Sequence, residues 1–187
     1  RMAVTDGIVD MRLRPTWLHR FFGSTPGTPE YEVVRWLNRR VGSKDVDHFA
    51  ASSSLPELLA EMDQAGIAVG VMVGRSTPTV RIANDELAAL ATSSAGRLVG
   101  IASVDPIELG PQAARAELRR AVLELGLRGV NFDAGFYATA LRADSDRLLP
   151  LYEECHQLGV PAFIMSGPTT PDLADNDPLV VDVVART

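Results

Sequence analysis

Five short runs along the chain are apolar on both faces: GIVDMRL from Gly7, GIAVGVMVG from Gly66, RLVGIASVD from Arg97, RGVNFDAG from Arg128 and GVPAFIMSG from Gly159. Runs of that length, rich in Val and Ile and without strict polar alternation, are what strands of a parallel sheet look like when both faces are covered. The last four start at 66, 97, 128 and 159, a constant interval of 31 residues. One βαβ unit needs about 30 residues of chain, so the interval predicts repeated βα units.

The segments between these runs carry helical patterns. SSLPELLAEMDQAG places Ser54 three residues before Glu57, the spacing of a capping box, with Leu55, Leu58, Leu59 and Met62 on one face and Gly66 as the stop. GPQAARAELRRAVLELG begins with Pro111, carries a Leu118, Val122, Leu125 stripe and stops at Gly126, and DSDRLLPLYEECHQLG stops in the same way at Gly159. DNDPLVVDVVART predicts one more helix. The irregular interval is residues 15–53, where glycines and prolines flank one amphipathic helix, PEYEVVRWLNRRVG. It reads as an excursion over the active-site end, because functional loops in such folds follow the strand C-termini.

Composition narrows the class. A chain of 187 residues that is 46% hydrophobic buries the core of one globular domain over 1–187. A net charge of −6 without any Lys/Arg-rich run argues against nucleic acid, and no apolar stretch approaches the ~20 residues that span a bilayer. The expected partners are small molecules and further copies of the chain as a homodimer. Cys155 is the only cysteine, on a helix beside Leu158, and reads as a small buried apolar residue. The start lacks the charged-then-apolar pattern of a secretion signal, so a cytoplasmic protein is expected.

Repeated βα units close into a barrel or spread into an open doubly wound sheet, and periodicity alone does not choose. No glycine-rich phosphate-binding motif follows any of the runs. IVDMRLRP, DQAGIAVGVMVG, GRLVGIASVDP, ELGLRGVNF, LLPLYEECHQLGVPAFIMSG and NDPLVVDVVART resemble, in this order and spacing, the amidohydrolase-related family of (β/α)8 barrels. The resemblance covers nearly the whole chain and implies an α/β fold, a TIM barrel of which these residues are about the first five units, since a complete one takes ~250 residues. It also implies hydrolase, decarboxylase or hydratase chemistry on small carboxylic acids.

The family pattern carries D-x-H-x-H and then a proline on the first strand and a histidine on the fifth, which with residues from later strands hold a divalent metal. Here Asp10 and Pro15 are present, but Arg12 and Arg14 stand at the two histidine positions and Met165 at the third. A guanidinium is not deprotonated in proteins and so ligates no metal, and a lone thioether is a poor ligand for a hard divalent ion. The expectation is a barrel without the family's metal and with no cofactor. Residues 10, 12 and 14 alternate along one strand and so share a face, which points to an anion site for a carboxylate or phosphate in place of a cation site, with an internal ion pair of Asp10 and the two arginines as the plainer alternative.

Asn131 takes the resemblance's inward-facing position on the fourth strand, and alternation puts Asp133 on the same face at the strand's end, as a general acid or base. DAG is also ordinary turn chemistry, so a capping role weighs equally. Tyr137, just beyond, is placed to donate a hydrogen bond to substrate or simply to pack. Arg75 closes the second strand in VGRST and adds to a cationic mouth, with a solvated loop arginine as the plainer reading. Ser103 and Asp105 end the third strand. His19 is the one histidine near enough to reach the site, and Trp17, Phe21, Phe22, Tyr31 and Trp36 gather in the excursion. No Ser/His/Asp order or G-x-S-x-G elbow points to serine hydrolysis. Three readings follow: an enzyme that moves a proton, through Asp133 or a residue of the later strands, on a small carboxylic acid held by Arg12 and Arg14, with Asp10, Asn131, Met165 and Arg75 around it; a non-catalytic binding barrel; and a hydrolase with a rearranged metal site.

Overall fold

The computed structural model describes residues 7–18, 25–50, 53–166 and 172–186. The elements are β1 (Ile8–Leu13), α1 (Pro29–Arg40), α2 (Leu55–Gln64), β2 (Ile67–Val73), α3 (Asn84–Ser93), β3 (Leu98–Ser103), α4 (Pro106–Leu109), α5 (Pro111–Leu123), β4 (Val130–Phe132), α6 (Leu149–Leu158), β5 (Ala162–Ile164) and α7 (Pro178–Ala185). The strands lie in the order β1-β2-β3-β4-β5. A doubly wound sheet reverses its strand order at a switch point. Sequential order with helical crossovers is barrel topology, so the chain is a partial (β/α)8 barrel. His19, Phe21 and Phe22 lie outside the described residues, among which no helix is long and apolar enough to cross a membrane.

The chain divides into two compact units, residues 1–72 with 90–99, and residues 73–89 with 100–187. In the first, β1 runs parallel to β2 with Asp10 opposite Gly70 and Leu13 opposite Met72, so three steps on β1 match two on β2. At Gly70 a Cβ would lie 2.6 Å from Leu13 Cδ1 and 3.1 Å from Leu98 Cδ2, so a larger residue there would push those side chains aside. Arg97 fastens the start of β2 by donating to the carbonyls of Ala68 and Ile67, both at 2.9 Å, while pairing with Asp63. The capping box appears in altered form. Ser54 makes no side-chain cap, and Glu57 instead accepts from the backbone and hydroxyl of Ser53 at 2.8 and 3.0 Å. Ile8, Val9 and Met11 on β1 are exposed, unlike the buried strand first expected, because β1 is outermost in the strand order and has one neighbour among the described residues.

In the second unit, β4 pairs with β3 (Ser103 opposite Asn131) and with β5 (Phe132 opposite Ile164). Val130 and Phe132 are fully buried, and the Phe132 ring meets Tyr152 edge-on at 4.9 Å. Helix α7 forms as expected, capped by Asp177, and α6 stops at Gly159, whose φ of 68° a residue with a Cβ adopts only under strain. Helices α3 and α4 carried no legible signal: α3 buries only Asn84, Leu87 and Ala88, too little for an apolar stripe, and α4 is a single turn. Cys155 is buried as expected, and burial, helped by the neighbouring Glu154 charge, pushes its thiol up to about 12.

Glu154 is the costly core residue. It has no exposed surface, yet it is ionised because Arg115 and Arg119, one turn apart on α5, both donate to its carboxylate. Burial raises its pKa, and the two guanidiniums outweigh burial to leave it below the ordinary glutamate value. A group depressed in the folded state contributes stability above its unfolded value that is lost as pH falls through the folded one. Urea unfolding should therefore show wild type weakening in acid. The double variant Arg115→Ala/Arg119→Ala should lose about 3 kcal/mol at pH 7, the low end for a broken buried pair because both guanidiniums are half exposed. That deficit should shrink toward acid pH, where the abandoned carboxyl takes up a proton; a deficit independent of pH would show that the pair acts only by packing.

Candidate functional site

The first unit holds Asp10 and Arg12 on β1 and Arg14 just after it, and the register shift separates them. Asp10 is half-buried and accepts from the Arg12 backbone N–H at 2.9 Å, closing a local turn where alternation would continue. A strand that gains a residue relative to its neighbour flips its downstream side chains. Leu13 is buried, Arg12 is exposed, and Arg14 is half-buried in the wall of a cavity with Trp17 and Phe49. The shared face expected for residues 10, 12 and 14 is therefore interrupted by the bulge.

The second unit gathers the other candidates. Gly74, directly after β2, donates to the Ile101 carbonyl at 2.8 Å, so close to β3 that a Cβ would stand 2.7 Å from that oxygen. Arg75 follows it into a tight loop, held by the Ile82 N–H on the Arg75 carbonyl and by Thr77, which exchanges hydrogen bonds with Val80. The loop turns the Arg75 side chain inward. It is 8% exposed, pairs with Asp133 Oδ2 at 2.9 Å through Nε, and lies over the Phe136 ring at 5.2 Å. The solvated-arginine reading is corrected: Arg75 is buried because its counter-ion is buried.

Asp133 has no exposed surface. It precedes the 310 turn Ala134–Phe136, but its side chain makes no cap; it goes to Arg75 and to Asn131, whose Nδ2 donates to Oδ2 at 2.9 Å. The same Nδ2 donates to the Gly74 carbonyl at 2.9 Å, so Asn131 ties the end of β4 to the residue before Arg75. Ser103 adds a bond from its hydroxyl to the Asn131 carbonyl at 3.2 Å. Both amide hydrogens of Asn131 are thus committed to building the site. Met165 is half-buried, and its backbone N–H donates to the Phe132 carbonyl at 3.2 Å, which sets it beside the residue that precedes Asp133.

Tyr137 takes the packing role. It is 4% exposed and its hydroxyl donates to the Val104 carbonyl at 2.9 Å. Burial, with the charges of Asp133 and Asp105, holds the phenol well above its ordinary pKa, so it stays protonated. Asp105, read from the sequence only as an end of the third strand, is fully buried. One oxygen caps α4 by accepting from Ile107 and Glu108, and Oδ2 is buried without a hydrogen-bond partner among the described residues. Burial raises its pKa against the pull of those two N–H groups. A buried carboxyl at a strand's C-terminal end, in a barrel whose active sites lie at those ends, is what acid–base chemistry needs.

The residues present do not fit the divalent metal that the family resemblance implies. Arg12, Arg14 and Met165 offer no suitable donor, Arg75 sets a guanidinium against Asp133, and no group of three His, Cys, Asp or Glu side chains is placed to share an ion among the described residues.

Comparison with known proteins places the chain. The amidohydrolase family model matches residues 47–187. A 2-amino-3-carboxymuconate-6-semialdehyde decarboxylase of Dictyostelium discoideum is 35% identical over 81 residues, 43% of this chain and 21% of that protein. An uncharacterised TIM-barrel protein of Bordetella bronchiseptica superposes with a TM-score of 0.79 at 29% identity, over 96% of this chain and 62% of that one. A 2,6-dihydroxybenzoate decarboxylase from Rhizobium shares the fold with a TM-score of 0.57 at 22% identity, over 96% of this chain and 54% of that one. The chain thus spans less than two thirds of the length of each.

The Arg75–Asp133 pair is testable by stability alone. Arg75→Met and Asp133→Asn should each destabilise, because each leaves a buried charge unmatched, and the double variant should cost less than the sum by about 1–3 kcal/mol. Additive losses in urea unfolding would show that the two charges do not depend on each other.

Proposed function

The chain belongs to the amidohydrolase family, and from that membership and the buried Arg75–Asp133 pair we propose a barrel enzyme that moves a proton on a small carboxylic acid. The observation that carries this reading is a carboxylate with no exposed surface at the end of β4, held on one oxygen by a buried guanidinium and an amide. Asp133 is the proton-transferring group. Arg75 sets the charge of Asp133, and Asn131 sets its direction. Tyr137 braces the turn that follows, and Met165 supplies an apolar wall beside it. Arg12 and Arg14, in the first unit, add positive charge that attracts small carboxylate anions to the chain.

The step assigned to Asp133 is delivery of a proton to, or removal from, the carbon or oxygen at which the acid is cleaved, hydrated or rearranged. A decarboxylase among the relatives favours a lyase, and the geometry serves a hydrolytic or cyclising step with the same roles. No step is routed through a metal, since the residues at the family's ligand positions do not suit one.

The test is turnover across a panel of small aromatic and unsaturated carboxylic acids, followed by ultraviolet absorbance. Asp133→Asn keeps the shape of the residue and removes the titrating group, so kcat for the acid that wild type turns over should fall by about 10²–10⁴-fold with little change in KM. Arg12→Gln should raise KM and leave kcat nearly unchanged. An Asp133→Asn variant with wild-type kcat would remove Asp133 from the chemistry, and acids that bind without any turnover would favour a binding protein.

A further inference from the structure

Strands β3 and β4 run in register with Ser103 opposite Asn131, and the backbone of β3 stays extended through Asp105, at φ −113° and ψ 104°. Two residues further along each chain, Asp105 therefore comes beside Asp133, on the face that Ser103 and Asn131 occupy. The charges of both bear on the Tyr137 phenol. The two carboxyls are alike in having no exposed surface and differ in what answers them. Asp133 has the Arg75 guanidinium and the Asn131 amide. Asp105 has no ion pair among the described residues: Oδ1 accepts from the N–H groups of Ile107 and Glu108 at 2.8 and 3.2 Å, and Oδ2 is buried without a partner. The charged groups that face it are Glu108 of α4 and Arg81 of the loop before α3, and these two are paired with each other. A buried carboxyl oxygen that meets no donor is more stable as a hydroxyl than as an anion.

We propose that Asp105 is a second catalytic residue of this site, the acid whose Oδ2 proton goes to the substrate as Asp133 takes a proton away. The proposal rests on the reading of Asp133 as the proton-transferring group, and adds its partner and the direction of each transfer. Asp133, held as an anion by Arg75, receives; Asp105, with no cation and one bare oxygen, gives. Neighbouring titrating groups whose surroundings favour opposite protonation states divide the acid and base roles of a site between them. In the step, the substrate's bond to its departing proton breaks and that proton passes to Asp133. The Oδ2–H bond of Asp105 breaks as well, and its proton goes to the substrate atom that gains the electron pair. The substrate loses one proton and gains one, Asp105 ends as the anion and Asp133 as the acid, and return of the proton from Asp133 to Asp105 restores both. Capping α4 does not compete with this role, because the cap uses Oδ1 alone.

Asp105→Asn is the informative variant, because asparagine caps a helix as well as aspartate does and keeps the residue's size. It removes the acid and leaves the turn. At about pH 5, above the ordinary aspartate range, the infrared spectrum of wild type minus that of Asp105→Asn should contain the C=O band of a buried carboxylic acid. A carboxyl whose pKa is raised in the folded state contributes stability below its unfolded value that is lost as pH rises through the folded one. Asp105→Asn should therefore melt higher than wild type at about pH 8, with the gain fading toward about pH 4. On the acid that wild type turns over, its kcat should fall by about 10²–10⁴-fold with little change in KM, and the decline of kcat/KM with rising pH that Asp105 imposes should be absent. If Asp105→Asn fails to fold, Asp105→Ser, which also caps, carries the same measurements. The proposal is overturned if the difference spectrum lacks the acid band, if the variant melts lower than wild type at about pH 8, or if its kcat is that of wild type. The infrared and melting readouts need no substrate. Wild-type kcat in Asp105→Asn beside a loss in Asp133→Asn would remove this proposal alone, and the reverse pattern would remove the reading of Asp133 alone.

Discussion

A carboxylate with no exposed surface demands a cation, and in this chain the demand of Asp133 organises the second unit. Arg75 is drawn out of solvent to meet it, Phe136 receives the flat face of the guanidinium, and Asn131 spends both amide hydrogens on fixing the arrangement. Gly74 has no side chain because the residue before Arg75 must lie against the backbone of β3. Each feature is expensive or restrictive alone: a buried arginine, a buried amide and an obligatory glycine. Together they satisfy one another, which explains why a position that reads as an ordinary loop arginine is among the most buried charges in the unit.

The same logic separates two kinds of buried acid. Glu154 on α6 is held by two arginines of α5 and ties the two helices together, in the middle of a helix and not at the C-terminal end of a strand. Asp133 and Asp105 sit directly after β4 and β3, at the ends where barrels place their chemistry. One oxygen of Asp105 caps α4, so that residue also starts a helix, whereas Asp133 caps nothing although it precedes a turn. A side chain that declines a local cap in favour of a distant ion pair marks a position held for its charge.

Much of the fold was legible in the sequence because its signals are local. The 31-residue interval, the Val- and Ile-rich runs and the stopping glycines at 66, 126 and 159 each report on a few neighbouring residues, and all three glycines have positive φ. The alternation that pairs Asn131 with Asp133 held for the same reason. The β1 bulge was not legible, since it arises from register against β2, and it moved Arg12 to the surface and put Leu13 in the core. Arg75 was misjudged because its partner is remote in sequence.

In the proposed reaction the chemistry belongs to Asp133 and its arginine, with no divalent metal in the step. The most direct test measures metal content and turnover on one preparation, before and after exhaustive treatment with a chelator that is then removed. The expected result is well under one equivalent of zinc or manganese throughout, with kcat and melting temperature unchanged by the treatment. One equivalent of metal per chain, with activity lost on stripping and regained when that metal is returned, would contradict it.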